Sequence, residues 1–198
     1  MPDRQLILVT GPARSGKSEW AETLATRSGK PVVYVATARI DPEDREWEAR
    51  IDQHRQRRPP TWTTLDVPIE LAATIQTTSP DCCLLIDSLG TWLANLLEQA
   101  DDPWAETRQK LLTALHQTTG QIILVAEETG WGLVPAYPVG RRFRDRLGQL
   151  TRAIGAIAHP VYLVTGGHVL NLSVLGTPLT QGDKDQGRQQ EQQGQRFE

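Results

Sequence analysis

Five short apolar runs punctuate the chain: Leu6-Ile7-Leu8-Val9, then residues 32–36, 82–86, 122–126 and 161–165. Each is continuous rather than alternating, as a strand reads when both faces of its sheet are covered. Between them the sequence is helical in period. Leu89, Trp92, Leu93, Leu96 and Leu97 form one stripe, and Phe143, Leu147, Leu150, Ile154 and Ile157 another. Strand and helix in alternation predict an α/β fold with a mostly parallel, doubly wound sheet. Residues 61–66 add a short edge strand, and Pro68 opens a brief helix through Ile75. From Gln181 onward almost nothing is apolar, which predicts disorder. The chain divides accordingly into one domain over residues 1–175 and a Gln-rich tail over 176–198.

In sheets of this kind ligands bind beyond the carboxyl ends of the strands. Those ends carry Thr10, Thr37, Asp87, Glu127-Glu128 and Gly166-Gly167. Directly after the first run stands Gly11-Pro12-Ala13-Arg14-Ser15-Gly16-Lys17-Ser18, which fits the G-x-x-x-x-G-K-[ST] pattern. Its mechanics are those of a nucleoside triphosphate cradle. Backbone N–H groups of the turn face the phosphates, Lys17 neutralises charge, and the Ser18 hydroxyl reaches Mg²⁺. A chance glycine loop would satisfy the spacing alone. The position between an apolar strand and a helical stretch beginning at Ser18 argues for phosphate binding and predicts a phosphate-loop NTPase. Pro12 lacks an N–H, but it falls at the start of the loop and leaves the later donors intact.

Asp87 ends the run Leu84-Leu85-Ile86, where a Walker B carboxylate holds Mg²⁺ opposite Ser18. The competing role is a cap on the helix that follows. Composition narrows the rest. A formal net charge of -3 gives no general attraction to nucleic acid, and no apolar run is long enough to span a membrane. Met1-Pro2-Asp3-Arg4 leads straight into the first strand without a leader, so a cytoplasmic protein is expected. Cys82 and Cys83, adjacent in a strand, point to opposite faces and read as small packing residues.

Residues 41–58 read as a helix with Trp47, Arg50, Ile51, His54, Arg57 and Arg58 in one sector. Arginines stand at 39, 45, 50, 55, 57 and 58. They make either a solvated face paired with nearby acids or a phosphate-binding surface. His54 lies among them, just before Pro59-Pro60 stops the helix. Surrounding cations keep an imidazole neutral near pH 7, and its free lone pair can attack phosphorus to give a phosphoramidate. His116 and His159 read as structural, and His168, after Gly166-Gly167, as a weaker candidate for substrate contact. The glycine-punctuated loop over residues 127–135 is expected to touch a second substrate.

Taken together, these residues resemble the bifunctional cobinamide kinase and cobinamide-phosphate guanylyltransferase family of cobalamin biosynthesis. The likeness spans about residues 6–172. It rests on the phosphate loop, Tyr34-Val35-Ala36-Thr37, Arg50-Ile51-Asp52-Gln53-His54 with Arg58-Pro59-Pro60-Thr61-Trp62, and Glu128-Thr129-Gly130-Trp131-Gly132-Leu133-Val134-Pro135 leading to Arg142-Phe143-Arg144-Asp145. The resemblance implies that a nucleoside triphosphate, ATP or GTP with Mg²⁺, phosphorylates adenosylcobinamide. GTP then donates GMP to adenosylcobinamide phosphate by way of a guanylated histidine, the position of His54. It also implies nucleotide contacts at residues 11–18, at Ala36, Thr37 and Ala38, at Arg55, Gln56, Arg57 and Arg58, and at Asp66 and Asp87, with Asp66 suited to reading guanine. A homo-oligomer, a trimer, is implied as well. The chain departs from the family's pattern at Pro12, Asp66, Glu127 and Thr151-Arg152. Two other readings of the residues remain: a phosphate-loop kinase of another small alcohol, and a nucleotide-dependent switch or ATPase.

Overall fold

A computed structural model describes residues 5–39, 45, 51 and 55–179. In chain order the elements are β1 (Gln5–Gly11), α1 (Lys17–Arg27), β2 (Val32–Ala36), β3 (Thr63–Asp66), α2 (Leu71–Thr77), β4 (Cys83–Asp87), α3 (Leu89–Ala94), α4 (Asp101–Gln117), β5 (Gln121–Glu127), α5 (Pro138–Gly155), β6 (Val161–Thr165), β7 (His168–Asn171) and α6 (Leu172–Leu175). Among the described residues the strands form one sheet of order β3-β2-β4-β5-β1-β6-β7. Every neighbouring pair is parallel except β6 and β7.

Both faces of the central strands are buried, which is why their sequences do not alternate. Leu6 and Leu8 of β1, Leu84 and Ile86 of β4, and Ile122 and Leu124 of β5 look toward α2 to α5, where Leu71, Trp92, Leu93, Leu111, Leu147 and Leu150 complete one core. Ile7, Val9, Leu85, Ile123 and Val125 look the other way, onto Ala21 and Ala25 of α1. The small alanines let α1 lie close against the sheet. That closeness brings the phosphate loop over the strand ends.

The expected strands at 32–36 and 161–165 match, and the edge strand appears as β3. The first cysteine drops out of its strand: β4 starts at Cys83, which is buried, and Cys82 precedes it half-buried, both as free thiols. Helix α2 starts at Leu71, three residues beyond Pro68, because the Pro68 and Ile69 carbonyls accept from the Asn95 amide and Trp92 indole instead of opening a helix. Strand β7 is the element the apolar runs did not announce. Gly166 and Gly167, at φ +56 and +75, make a tight turn that folds His168–Asn171 back antiparallel on β6. Among the described residues no helix is long and apolar enough to cross a membrane. The Gln-rich sequence from 180 onward, and most of the helix expected over 41–58, lie outside the described residues.

Candidate functional site

The phosphate loop leaves β1 at Gly11 under tight steric control. A Cβ there would sit 2.3 Å from the Val164 carbonyl of β6 and 2.7 Å from Ser15 Oγ, so only glycine lets the turn pack against the sheet. Arg14 and Gly16 both take left-handed backbone, at φ 58 and 91. Left-handed positions spaced this way curl a chain into an anion-binding concavity. For Arg14, a residue with a Cβ, that conformation costs about 1–2 kcal/mol. Lys17, the first residue of α1, is buried, and its Nζ donates to the Pro12 carbonyl at 3.3 Å. The ammonium is thereby folded back over its own loop.

Lys17 and Ser18 face Asp87 across a cleft of about 500 Å³ at the carboxyl edge of the sheet. Its walls include Tyr34, Ala36, Ala38, Arg39, Ile51, Arg58, Ser88, Gly90, Glu127 and Thr129. The Tyr34 hydroxyl donates to Asp87 Oδ2 at 2.9 Å, and the Arg58 guanidinium lies 3.5 Å above the Tyr34 ring centroid. Burial, followed by the Asp87 carboxylate, raises the Tyr34 phenol well above its ordinary value, so it remains a donor. Asp87 does not cap the next helix. Ser88 is the N-cap, its Oγ accepting from Thr91 N while Thr91 Oγ1 accepts from Ser88 N.

Glu127 sits opposite Gly11 in the register of β5 and β1. Its Oε1 accepts from Ser88 Oγ at 2.5 Å and its Oε2 from Gly90 N at 2.9 Å. Gly90 can come this close only because it lacks a Cβ, which would lie 2.1 Å from Oε2. Burial raises the carboxyl above its ordinary range, opposed by the Ser88 hydrogen bond and the nearby Lys17 charge. The neighbouring Glu128 Oε1 accepts from Thr10 Oγ1 at 2.8 Å. The loop, β4 and β5 are thus laced together at one edge.

Of the residues expected from sequence, Lys17, Ser18, Ala36, Ala38, Arg58 and Asp87 meet at this cleft. Thr37 is fully buried and its hydroxyl is engaged elsewhere, donating to the Ser88 carbonyl at 2.7 Å and contacting Thr91. Arg57 reaches back to α1, 3.0 Å from Glu19 and 3.7 Å from Glu22. Arg55, Gln56 and Asp66 are exposed, Asp66 at the end of the edge strand beside Ala36. His54 lies outside the described residues. His168 opens β7, where its Nδ1 is 2.9 Å from the Gly166 carbonyl, on the far side of the sheet from β4. Tyr34 is a contributor that the sequence does not assign to the site, and Glu127, expected at the strand-end crevice, has there a structural partnership with Ser88 and Gly90 that the sequence does not announce. Their signal was position, Tyr34 two residues before the end of β2 on the Asp87 face and Glu127 as the last residue of β5.

Ser18 and Asp87 supply two hard oxygen donors on one cleft, the set Mg²⁺ takes when phosphates and water fill its octahedron. No cluster of three or more His, Cys, Asp or Glu able to hold a metal by itself occurs among the described residues.

A parallel sheet whose first strand ends in a glycine loop, with Lys17 and Ser18 opposite a strand-end carboxylate, defines a phosphate-loop NTPase of the α/β class. Within that class the chain belongs to a particular family. Residues 7–172 match the model of cobinamide kinase / cobinamide phosphate guanyltransferase, so this is a transferase family member. The bifunctional adenosylcobalamin biosynthesis protein CobP of Pseudomonas aeruginosa is 44% identical over 175 residues, 87% of this chain and 98% of its own length. CobU of Escherichia coli, of the same description, is 36% identical over 82% of this chain and 96% of its own. In fold the chain is also similar to a Pyrococcus horikoshii OT3 protein, with TM-score 0.53 at 8% identity over 86% of this chain and 88% of that one.

Proposed function

We propose that the protein phosphorylates adenosylcobinamide with a nucleoside triphosphate and then transfers GMP from GTP to the new phosphate through a guanylyl group on His54. One observation carries this reading: the phosphate-loop residues Lys17 and Ser18, the carboxylate Asp87, and the residues flanking His54 in sequence, Ile51 and Arg58, all line one cleft. A single bound triphosphate then lies within reach of both chemistries.

In the first step the acceptor hydroxyl oxygen bonds to the γ-phosphorus and gives its proton up to solvent, as the bond to the bridging oxygen breaks and nucleoside diphosphate leaves. Such transfers depend on position and charge. Lys17 and Arg14 meet the charge that accumulates on the transferring oxygens, while residues 11–18 hold the rest of the chain of phosphates. Ser18 and Asp87 hold Mg²⁺, which supplies charge neutralisation when bound. In the second step an imidazole nitrogen of His54 bonds to the α-phosphorus of GTP and pyrophosphate leaves. The substrate's phosphate oxygen then displaces the histidine and carries GMP away. Arg58 meets the phosphates in the cleft, with Arg55, Gln56 and Arg57 supporting the segment it belongs to; Ala36 and Ala38 border the nucleoside over the buried Thr37, and Asp66 accepts from the guanine N1–H and exocyclic amine. The phosphate-loop domain, residues 1–175, carries both steps.

The division of labour is tested with two variants. Lys17→Ala is expected to lower both conversions by about 100-fold or more. His54→Ala is expected to keep cobinamide phosphorylation and lose formation of the GDP-linked product. Equal loss of both activities in His54→Ala would overturn the assignment.

A further inference from the structure

A second cleft, of about 580 Å³, lies on the opposite face of the sheet from α1, between β1 and α5. Its floor is apolar, from Leu8, Val161 and Leu172, and its rim carries Glu128, Arg144, Asp145 and Arg152. Glu127 and Thr129 line both clefts, so the two adjoin at the carboxyl end of β5. We propose that this second groove seats the body of the phosphate acceptor, whose alcohol arm passes Glu127 and Thr129 to reach the triphosphate.

The lining decides what the groove can take. Two guanidinium groups face three carboxyl groups, Glu127, Glu128 and Asp145, and that balance repels a polyanion. A second triphosphate therefore does not belong there. A body of low charge with an apolar face and a fringe of amides does, since each amide brings a donor and an acceptor to a rim that offers both. Helix α5 also leaves room. Gly148 lies on the groove wall in the middle of the helix, and a Cβ at that position would meet nothing within 4 Å. A glycine in a helix interior is less favourable than alanine, so a larger residue is compatible with the fold.

This inference rests on the acceptor being a cobinamide, as proposed above. The test grades the size of residue 148 in the full chain, comparing Gly148→Ala and Gly148→Leu with the unchanged protein. Cobinamide binding is read by equilibrium dialysis using its visible absorbance, cobinamide kinetics by product formation, and mass by light scattering. Gly148→Leu is expected to raise both Kd and KM for cobinamide by about tenfold or more, with a smaller rise for Gly148→Ala. KM for the nucleotide and the mass in solution are expected to stay as they were. Unaltered cobinamide binding in Gly148→Leu would overturn the groove while leaving the proposed reactions standing. A changed mass would assign the groove to a neighbouring copy of the chain and overturn it too. Failure of the unchanged protein to bind or phosphorylate cobinamide would remove the underlying reading along with the groove.

Discussion

Tyr34 and Asp87 are joined across two neighbouring strands: the phenol of β2 donates to the carboxylate that ends β4, at 2.9 Å. Arg58 lies flat over the same ring, 3.5 Å from its centroid. The proposed metal-holding carboxylate is therefore oriented by a tyrosine, and that tyrosine is covered by a cation next in line after the His54 segment. A carboxylate set this way presents its second oxygen to the cleft without first having to be ordered.

Tyr34→Phe removes the orienting proton and keeps the ring under Arg58. Loss of one hydrogen bond is expected to lower stability by about 1 kcal/mol. The Mg²⁺ concentration giving half-maximal kinase rate should rise about tenfold. A magnesium titration of cobinamide phosphorylation checks this, and an unshifted midpoint would contradict it.

Arg57 ties the end of the His54 segment to Glu19 and Glu22 of α1, at 3.0 and 3.7 Å. The exposed pair with Glu19 contributes less than about 1 kcal/mol to stability, and the contact with the half-buried Glu22 is, at 3.7 Å, a long one. Arg57→Ala should therefore unfold at nearly the same temperature as the unchanged protein. Guanylyl transfer should slow while cobinamide phosphorylation persists, because only the former needs the segment held in place. Single-turnover rates of the two steps separate them, and a variant slowed equally in both would count against this role.

Glu127 gives stability a pH dependence of definite sign. Burial lifts its carboxyl above the ordinary range, so the folded chain holds that proton more tightly than the unfolded one. The stabilisation is present in acid and is lost as pH rises toward the folded value. Glu22 is shifted in the same direction, chiefly by burial, and contributes with the same sign. Glu127→Gln deletes one of these contributions and keeps an acceptor for Gly90. Thermal unfolding of nucleotide-free protein should show the variant more stable around pH 7, with the advantage fading toward about pH 4. A deficit that grows with pH would reverse the sign and refute the argument.

Gly90 and Glu127 are expected to be coupled. Adding a methyl group in Gly90→Ala drives a carbon to within 2.1 Å of Glu127 Oε2 unless the carboxylate moves. Overpacking of this kind costs about 1–3 kcal/mol. Glu127→Asp, one methylene shorter, should recover part of that loss in the double variant. A double-mutant cycle by denaturant unfolding measures the coupling, and strict additivity would show that the two residues act independently.

The central sheet was legible because burial on both faces writes itself into β1, β2, β4 and β5 as unbroken apolar runs, a run that the partly buried β6 shares. Strand β7 escaped that reading because Val169 and Leu170 are partly exposed at an edge, and its marker was the Gly166-Gly167 pair. The phosphate loop was legible because Gly11, Gly16, Lys17 and Ser18 are spaced by local backbone needs. The lacing of Tyr34 to Asp87 and of Glu127 to Ser88 and Gly90 joins positions 53, 39 and 37 residues apart. No local pattern encodes such pairs. Likewise Glu127, Thr151 and Arg152, separate departures from the family's pattern in sequence, come together on one groove.

The central claim is that His54 carries the nucleotide between the two steps. Its most direct test is the mass of the intact chain after incubation with GTP and Mg²⁺ in the absence of cobinamide, followed by mapping of the modified peptide. The account predicts one guanylyl group per active chain, acid-labile, on the peptide containing His54, and released as product when cobinamide phosphate is added. A chain that stays unmodified under these conditions, yet converts cobinamide phosphate to the GDP-linked product at full rate, would contradict it.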